Sequence, residues 1–316
     1  MNFINEINSG FRPRVLVLMA TYNGAAWLVE QIKSVLAQQD VDVHILIGDD
    51  CSKDKTRDFV EINFSGNSAV KLMAWESSSG TAGANFRRLY LAADVGNYDF
   101  IALADQDDIW LPLKLITGIR CLNETGFHGY SGAVEAFWPD GRKKILAQVP
   151  VIKPADFLFE GAGQGCTFVV RAELFLRIQQ FCRAHPTAVD ALHYHDWLIY
   201  LLARAWNKEW YFDPLPFMLY RQHGGNEIGS RDGIAAVKKR LNLIRSGWYR
   251  GQVRAAFAIY QQANGNDSIA LNIGQLVIQR PVLMRGGRLF FILLRHGRRR
   301  FVDRLVLALA AVIAWL

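Results

Sequence analysis

The sequence predicts an α/β fold with a mostly parallel central sheet covered by helices and followed by a helical C-terminal extension. Three observations carry that expectation. Strand-like apolar runs alternate with helix-period segments through the first half of the chain. The runs are continuously apolar, as strands buried on both faces must be. Acidic and amide residues gather just after the runs, where open α/β sheets bind ligands. A chain of 316 residues has room for one large α/β domain with an appendage.

The elements follow in order. "RVLVLMAT" (14–21) is rich in β-branched residues, and "AAWLVEQIKSVLAQQ" (25–39) places Leu28, Ile32, Val35 and Leu36 on one helical stripe. "VDVHILIGDD" (41–50) is a second strand, followed by the helical "SKDKTRDFVEI" with Ser52 as its expected cap. "AVKLMAWE" (69–76) is a third strand, "AGANFRRLYLAAD" a helix and "YDFIALADQDD" a fourth strand. Beyond these, "WPDGRKK" (138–144) reads as a turn between strands, and "GCTFVVR" (165–171) as a strand entering the helix "AELFLRIQQFCRA". "HDWLIYLLARAW" (195–206) is helical, "EWYFDPLPFMLYRQHGG" (209–225) extended and broken by proline, and helices dominate from about residue 230.

Composition narrows the function class. An apolar fraction of 51% with 21% charged residues describes a well-cored globular chain. Four cysteines without C-x-x-C spacing form neither a disulfide framework nor a zinc site. No charged n-region with an apolar core opens the chain, so the expected place is the cytoplasm or the inner face of its membrane. The net charge of +7 is unevenly held: residues 231–316 carry 15 basic residues against three acids, while the rest carries 21 against 26. An acidic body with a basic tail points to two tasks.

The tail ends in a 12-residue apolar run, Leu305 to Leu316, about 18 Å as a helix against a bilayer core of about 30 Å. Too short to span comfortably, and mixed upstream with eight arginines from Arg280 to Arg304, it fits an interfacial helix on anionic lipid. The bland reading is a helical cap with its arginines on the wet face. Nothing else along the chain supports nucleic-acid binding.

The chemistry-bearing stretch is "FIALADQDDIW" (100–110), a buried strand running into Asp105, Asp107 and Asp108. Carboxylates this close repel unless a cation offsets them, and hard Mg²⁺ or Mn²⁺ suits oxygen ligands. A second acid pair, Asp49-Asp50, ends the neighbouring strand. A lone D-x-D is weak evidence, and acids at a helix N-terminus are the plain alternative.

With these stretches, "VLMATYNGAAWLVEQIKSVLAQ", "ILIGDDCSKDKT", "GANFRRL", "ADQDDIWLPLKL", "GCTFVVRAEL", "HDWLIYLLA" and "LYRQHGGN" resemble, in order and spacing, the motifs of family 2 glycosyltransferases. Within that family the likeness is to the rhamnosyltransferase-like branch of bacterial surface-polysaccharide assembly. It covers about residues 13–230. The resemblance implies a GT-A fold over 1–230, with a nucleotide-sugar half at about 13–115, an acceptor half at about 116–230 and a basic helical extension over 231–316.

It also implies a nucleotide-diphosphate sugar donor, a divalent Mg²⁺ or Mn²⁺, and inversion at the anomeric carbon. Carried over by position, Thr21, Tyr22, Asp49 and Asp50 line the nucleoside pocket, and Asn85 with Arg87 or Arg88 approaches the nucleotide or donor sugar. Asp105 meets the ribose or sugar, Asp107 holds the metal with Asp108 as second ligand or support, and His223 meets diphosphate or metal. Asp196 falls at the position of the catalytic base. The expected product is one sugar, with L-rhamnose from dTDP-rhamnose as the candidate, added to a glycan or lipid-linked oligosaccharide at the inner membrane face.

Other readings fit less well. A non-catalytic glycan- or lipid-binding scaffold would not need Asp105, Asp107, Asp108 and Asp196 together. A sugar nucleotidyltransferase needs a glycine-rich triphosphate loop near the N-terminus, which is absent. "HYHD" (193–196) offers metal-ligand types without a third ligand, and "GAGQG" (161–165) precedes a strand where a dinucleotide fingerprint must follow one. Trp110 and Trp197 read as core or pocket wall. Cys51 and Leu113 depart from the family pattern, and no Q-x-x-R-W of processive polymerases follows.

Overall fold

The computed structural model describes residues 12–223, 242–278, 283–313 and 315. The first eleven residues and the boundary expected near residue 230 lie outside the described residues. The nine strands are β1 (Arg14–Thr21), β2 (Asp42–Asp49), β3 (Val70–Ala74), β4 (Phe100–Ala104), β5 (Ile109–Trp110), β6 (Gly129–Phe137), β7 (Lys143–Leu146), β8 (Val169–Arg171) and β9 (Trp210–Arg221). They form one sheet in the order β3-β2-β1-β4-β8-β6-β9-β5, with β7 pairing β6.

The parallel part is the one the sequence predicts. β3, β2, β1 and β4 pair parallel, with Thr21 opposite Asp49 and Met19 opposite Ala104. Their carboxyl ends therefore share one edge. Beyond β4 the sheet turns mixed: β8 is antiparallel to both β4 and β6, β9 runs parallel to β6, and β5 pairs antiparallel with β9.

Helix α1 (Leu28–Leu36) carries its predicted stripe into the core, where Leu28, Ile32 and Val35 pack with Val15, Val17 and Met19 of β1. Burying such side chains stabilises by about 1.5–3 kcal/mol each. Helix α2 (Thr56–Phe64) begins later than expected, and Ser52 does not cap it. Ser52 donates from its amide and hydroxyl to Asp49, because the turn after β2 brings it back over that carboxylate. Asp54 instead accepts from the Thr56 amide at 3.0 Å.

Helix α3 (Ala82–Ala92) has Thr81 as its N-cap, accepting from the Ala84 amide at 3.1 Å. Helix α4 (Lys114–Thr125) stops at Gly126, φ 74°, a left-handed conformation glycine adopts without strain. In helix α5 (Ala172–Ala184), the buried Gln179 amide donates to Tyr90 O and Ala93 O at 2.7 and 2.8 Å, satisfying carbonyls at the end of α3. The segment expected to break at its prolines is instead one strand, β9. A register shift near Pro216 absorbs them, and Asp213 accepts from Tyr130 OH and the Leu215 amide there.

Two compact units divide the chain. The sheet and α1–α5 lie in the first: Met1–Gln148, Gly163–Ala184 and Glu209–Arg221. The second unit gathers Val149–Ala162, His185–Lys208 and Gln222–Leu316. Among the described residues its helices are α6 (Pro186–Ala191), α7 (His195–Ala205), α8 (Trp248–Gln262), α9 (Ser268–Ile278), α10 (Leu283–His296) and α11 (Phe301–Val312).

A buried charge cluster holds the second unit together. Asp156, fully inaccessible, accepts from Arg204 Nη1 at 2.8 Å, Arg299 Nη1 at 3.2 Å and Tyr200 OH at 3.0 Å. Glu160 accepts from Arg298 Nε at 3.2 Å and from the Arg299 amide. Burial pushes the Asp156 carboxyl up, while Arg204 and Arg299 pull it back. Removing one charge from a buried set strands the others. Asp156→Asn is expected to cost about 3–5 kcal/mol of second-unit stability, read as a lower urea midpoint of tryptophan fluorescence in the full chain.

Candidate functional site

At the shared edge of β1, β2 and β4, three loops are stitched by short hydrogen bonds. Gln106 occupies the centre: its Oε1 accepts from Thr21 Oγ1 at 2.7 Å and the Tyr22 amide at 2.9 Å, and its Nε2 donates to Tyr22 O at 3.1 Å. A Cβ on Gly24 would lie 2.3 Å from Gln106 Oε1, so a side chain there would push the Gln106 amide out of this position. Asn23 (φ 50°) and Cys51 (φ 61°) both take the left-handed conformation after their strands. At Cys51 that conformation is one glycine adopts without strain and a cysteine only at a steric cost.

The two acids ending β2 face different partners. Asp49 is fully buried, paired with Arg57 Nε and bonded by Ser52, so it organises the turn. Asp50 accepts from the Ser79 amide at 2.6 Å, Ser78 Oγ at 3.0 Å and the Gly80 amide at 3.2 Å, and Arg88 Nη1 lies 3.7 Å away. It thereby ties the loop after β3 to the sheet edge. Asn85, buried on α3, accepts from Trp75 Nε1 at 2.8 Å and donates to Gly48 O at 2.7 Å. Its amide joins structural elements. Arg87 is half-buried two residues further on, and the Tyr22 side chain is exposed.

The acidic loop after β4 splits its roles. Asp105, Asp108 and Cys166 offer ligand atoms all within 4.8 Å of one another; Asp107 is outside this trio. Asp108 is buried; the Arg221 amide donates to its Oδ1 at 3.2 Å, and its Oδ2 has no hydrogen-bond partner. Burial, then the charges of Asp105 and Asp107, push the Asp108 carboxyl well above the usual range. The same burial and the charge of Asp108 hold the Cys166 thiol up, and Tyr220 nearby is raised likewise. Two close carboxylates, one with an orphaned buried oxygen, fit a divalent cation. A protonated thiol is a poor ligand for a hard ion, so oxygen is the donor this group offers.

Two cations to which the motifs assign no role shape this loop. Arg221, at the end of β9, donates from Nε to Asp107 O at 2.8 Å and from Nη2 to Glu30 at 2.6 Å. Its motif, "LYRQH", drew notice only for His223. Lys114, the first residue of α4, is buried with Nζ 3.6 Å from the centre of the Trp110 ring and without a hydrogen-bond partner. Trp110 is thus a core residue beneath the acids. Asp196 and His223 belong to the second unit. Asp196 sits in the first turn of α7, half-buried, accepting from the Trp197 amide at 2.7 Å. Trp197 donates to Phe157 O at 2.7 Å and stacks on Tyr249.

Against this geometry, residues 16–177 match the model of glycosyl transferase family 2. The chain belongs to that family. This glycosyltransferase is 39% identical over 263 residues to a dTDP-rhamnosyl transferase, RfbG, of Shigella flexneri, spanning 82% of this chain and 91% of the relative. It is 29% identical over 189 residues to WfgD of Escherichia coli, a UDP-Glc:alpha-D-GlcNAc-diphosphoundecaprenol beta-1,3-glucosyltransferase, across 59% of this chain and 68% of that one. Among solved structures, S. aureus TarS 1-349 in complex with UDP-GlcNAc superposes with a TM-score of 0.53 at 15% identity, covering 96% of this chain and 89% of the other. That likeness concerns the fold, and it agrees with the predicted GT-A architecture. The glycosyltransferase keeps its acidic loop and the two cations framing it inside the unit that carries most of the family match.

Lys114 gives a measurable pH signature. Burial lowers its pKa from 10.5 to about 7 in the folded chain. Between those values the unfolded chain binds the proton that the folded one has released, so this group makes stability rise with pH. Lys114→Met is expected to flatten the rise in urea midpoint between about pH 7 and about pH 9; matching slopes in both proteins would refute it.

Proposed function

We propose that this glycosyltransferase moves L-rhamnose from dTDP-rhamnose, with inversion, onto a lipid-linked oligosaccharide during surface-polysaccharide synthesis. The observation that carries the reading is the 39% identity to a dTDP-rhamnosyl transferase over 82% of the chain. The WfgD name, with its diphosphoundecaprenol acceptor, supports a lipid-linked acceptor.

In this reading the first unit holds the donor. Thr21, Tyr22, Asp49, Asp50 and Asn85 shape the nucleoside end, some of them by positioning the loops, and Arg87 and Arg88 supply positive charge beside the phosphates or sugar. Asp105, Asp107 and Asp108 hold Mg²⁺ or Mn²⁺, with His223 as a further ligand to metal or diphosphate. The cation would offset charge on the departing nucleoside diphosphate. Arg221 fixes the loop that presents these acids. The second unit takes the acceptor and lies peripherally on the inner membrane face.

The acceptor hydroxyl attacks the anomeric carbon from the face opposite the diphosphate. A carbon–oxygen bond to the acceptor forms, the bond to the diphosphate breaks, and the hydroxyl proton passes to a carboxylate. Asp196 is proposed as that base from its place in the family's ordered motifs.

Calorimetric titration of dTDP with and without Mn²⁺ tests the donor reading. Binding is expected to tighten with metal, and Asp107→Ala or Asp108→Ala should each reduce that coupling at least tenfold, about 1.4 kcal/mol. Metal-independent binding in the unaltered protein would remove the cation from the site. For the base, Asp196→Asn should keep dTDP affinity within about twofold while kcat for transfer falls by roughly 10² to 10⁴. Near-normal turnover would take Asp196 out of the reaction.

A further inference from the structure

Strands β1 and β4 pair in parallel as far as Met19 opposite Ala104, and there the ladder ends. Two residues further along each chain, Thr21 and Gln106 meet again, this time through a side chain. Gln106 Oε1 accepts from Thr21 Oγ1 at 2.7 Å and from the Tyr22 amide at 2.9 Å, while Nε2 donates to Tyr22 O at 3.1 Å. One carboxamide thus engages both the N–H and the C=O of a single residue, as a neighbouring strand would. The pairing outlasts the point where the backbones part.

Both ends of this link are anchored. On the β1 side, the Asn23 amide donates to Ser52 Oγ at 2.9 Å and the Gly24 amide to Thr56 Oγ1 at 2.9 Å, while Asn23 Oδ1 accepts from the Lys53 amide at 2.8 Å. The Asp50 amide donates to Thr21 O at 2.9 Å, so the turn at 21–24 is fixed to the turn after β2. On the β4 side, Gln106 stands between Asp105 and Asp107, and Arg221 holds Asp107 O and Asp108 Oδ1. A neutral amide suits this place. A carboxylate would bring a fourth negative charge into the loop and set an oxygen against Tyr22 O with no proton between them.

We propose that Gln106 is a positioning residue that couples cation binding on the acidic loop to nucleotide binding on the turn at 21–24. The proposal rests on the donor reading above, in which Asp105, Asp107 and Asp108 hold the cation and Thr21 and Tyr22 shape the nucleoside end. A divalent ion draws repelling carboxylates together. The backbone of residue 106, between two of them, moves with them, and its amide carries that shift to Tyr22. The reverse follows by linkage: a nucleotide seated on the turn favours the loop arrangement that binds the cation. Gln106 acts through Thr21 and Tyr22 and does not ligate the ion.

Calorimetric titration of dTDP into the full chain, with and without Mn²⁺, reads the coupling as a ratio of two dissociation constants. Gln106→Met keeps the length of the side chain and removes all three bonds. It is expected to reduce that ratio at least fivefold. Affinity for dTDP without metal, and for Mn²⁺ without nucleotide, should each stay within about twofold. Thr21→Val removes one bond and should lower the ratio less, adding nothing in the Gln106→Met background. An unchanged ratio in Gln106→Met overturns the proposal. So does a variant whose two separate affinities fall while the ratio holds, the mark of a residue that only shapes the loops. Should Gln106→Met be poorly folded, a second measurement needs no variant. Mg²⁺ alone should slow hydrogen exchange across residues 20–25 of the unaltered chain, and exchange indifferent to Mg²⁺ overturns the proposal. An unaltered protein whose dTDP binding ignores Mn²⁺ counts against the donor reading itself, whereas intact coupling in both proteins counts against Gln106 alone.

Discussion

A carboxylate that cannot reach water governs the edge of the sheet where β1, β2 and β4 end. Asp108 is buried between two other acids and a thiol, with one oxygen bonded and the other orphaned. Its neighbours respond to that charge. The Arg221 amide and side chain clamp the Asp107–Asp108 backbone, and Lys114 approaches from below over the face of Trp110. Such a site is held in tension between desolvation, which favours the neutral acid, and any cation able to reach it, which favours the anion. The parallel pairing of β1, β2 and β4 brings the loops to one edge, and the hydrogen bonds of Gln106 and Asp50 keep them there.

Much of this was legible in the sequence. Continuous apolar runs with polar ends marked β1, β2 and β4, because burial on both faces leaves that pattern; β3, a partly exposed edge strand, carried the same apolar run without such burial. The acidic loop after β4 was legible for the same reason. Less visible were residues whose meaning depends on distant partners. Gln106 sits between two acids and is overshadowed by them, yet it joins the loops. Arg221 takes its role from residues 113 and 114 positions earlier. Ser52 looked like a cap because it precedes a helix, and the turn geometry gave it to Asp49 instead. Local rules misassign a polar side chain whenever a closer acceptor arrives through the fold.

The arginine-rich tail shows the same limit. Charge counting treats its arginines as one basic surface. The structure separates them: Arg298, Arg299 and Arg304 are bonded within the unit, whereas Arg288 and Arg295 are exposed. Two buried acids, Asp156 and Glu160, do the sorting, and they lie more than a hundred residues upstream. Net charge foretells an electrostatic attraction. It does not foretell which side chains are free to express it.

That long-range pairing has a consequence for how the chain can be made and cut. Asp156 receives its second guanidinium from residue 299, so the second unit cannot neutralise its own interior until residue 299 has emerged from the ribosome, well after the last strand of the first unit. Until then two acids and Arg204 must remain hydrated, and the strands of the first unit can form ahead of them. A truncation ahead of Arg298 would therefore remove internal counter-ions along with the surface helix. Such a shortened protein would report on misassembly before it reported on any lost partner.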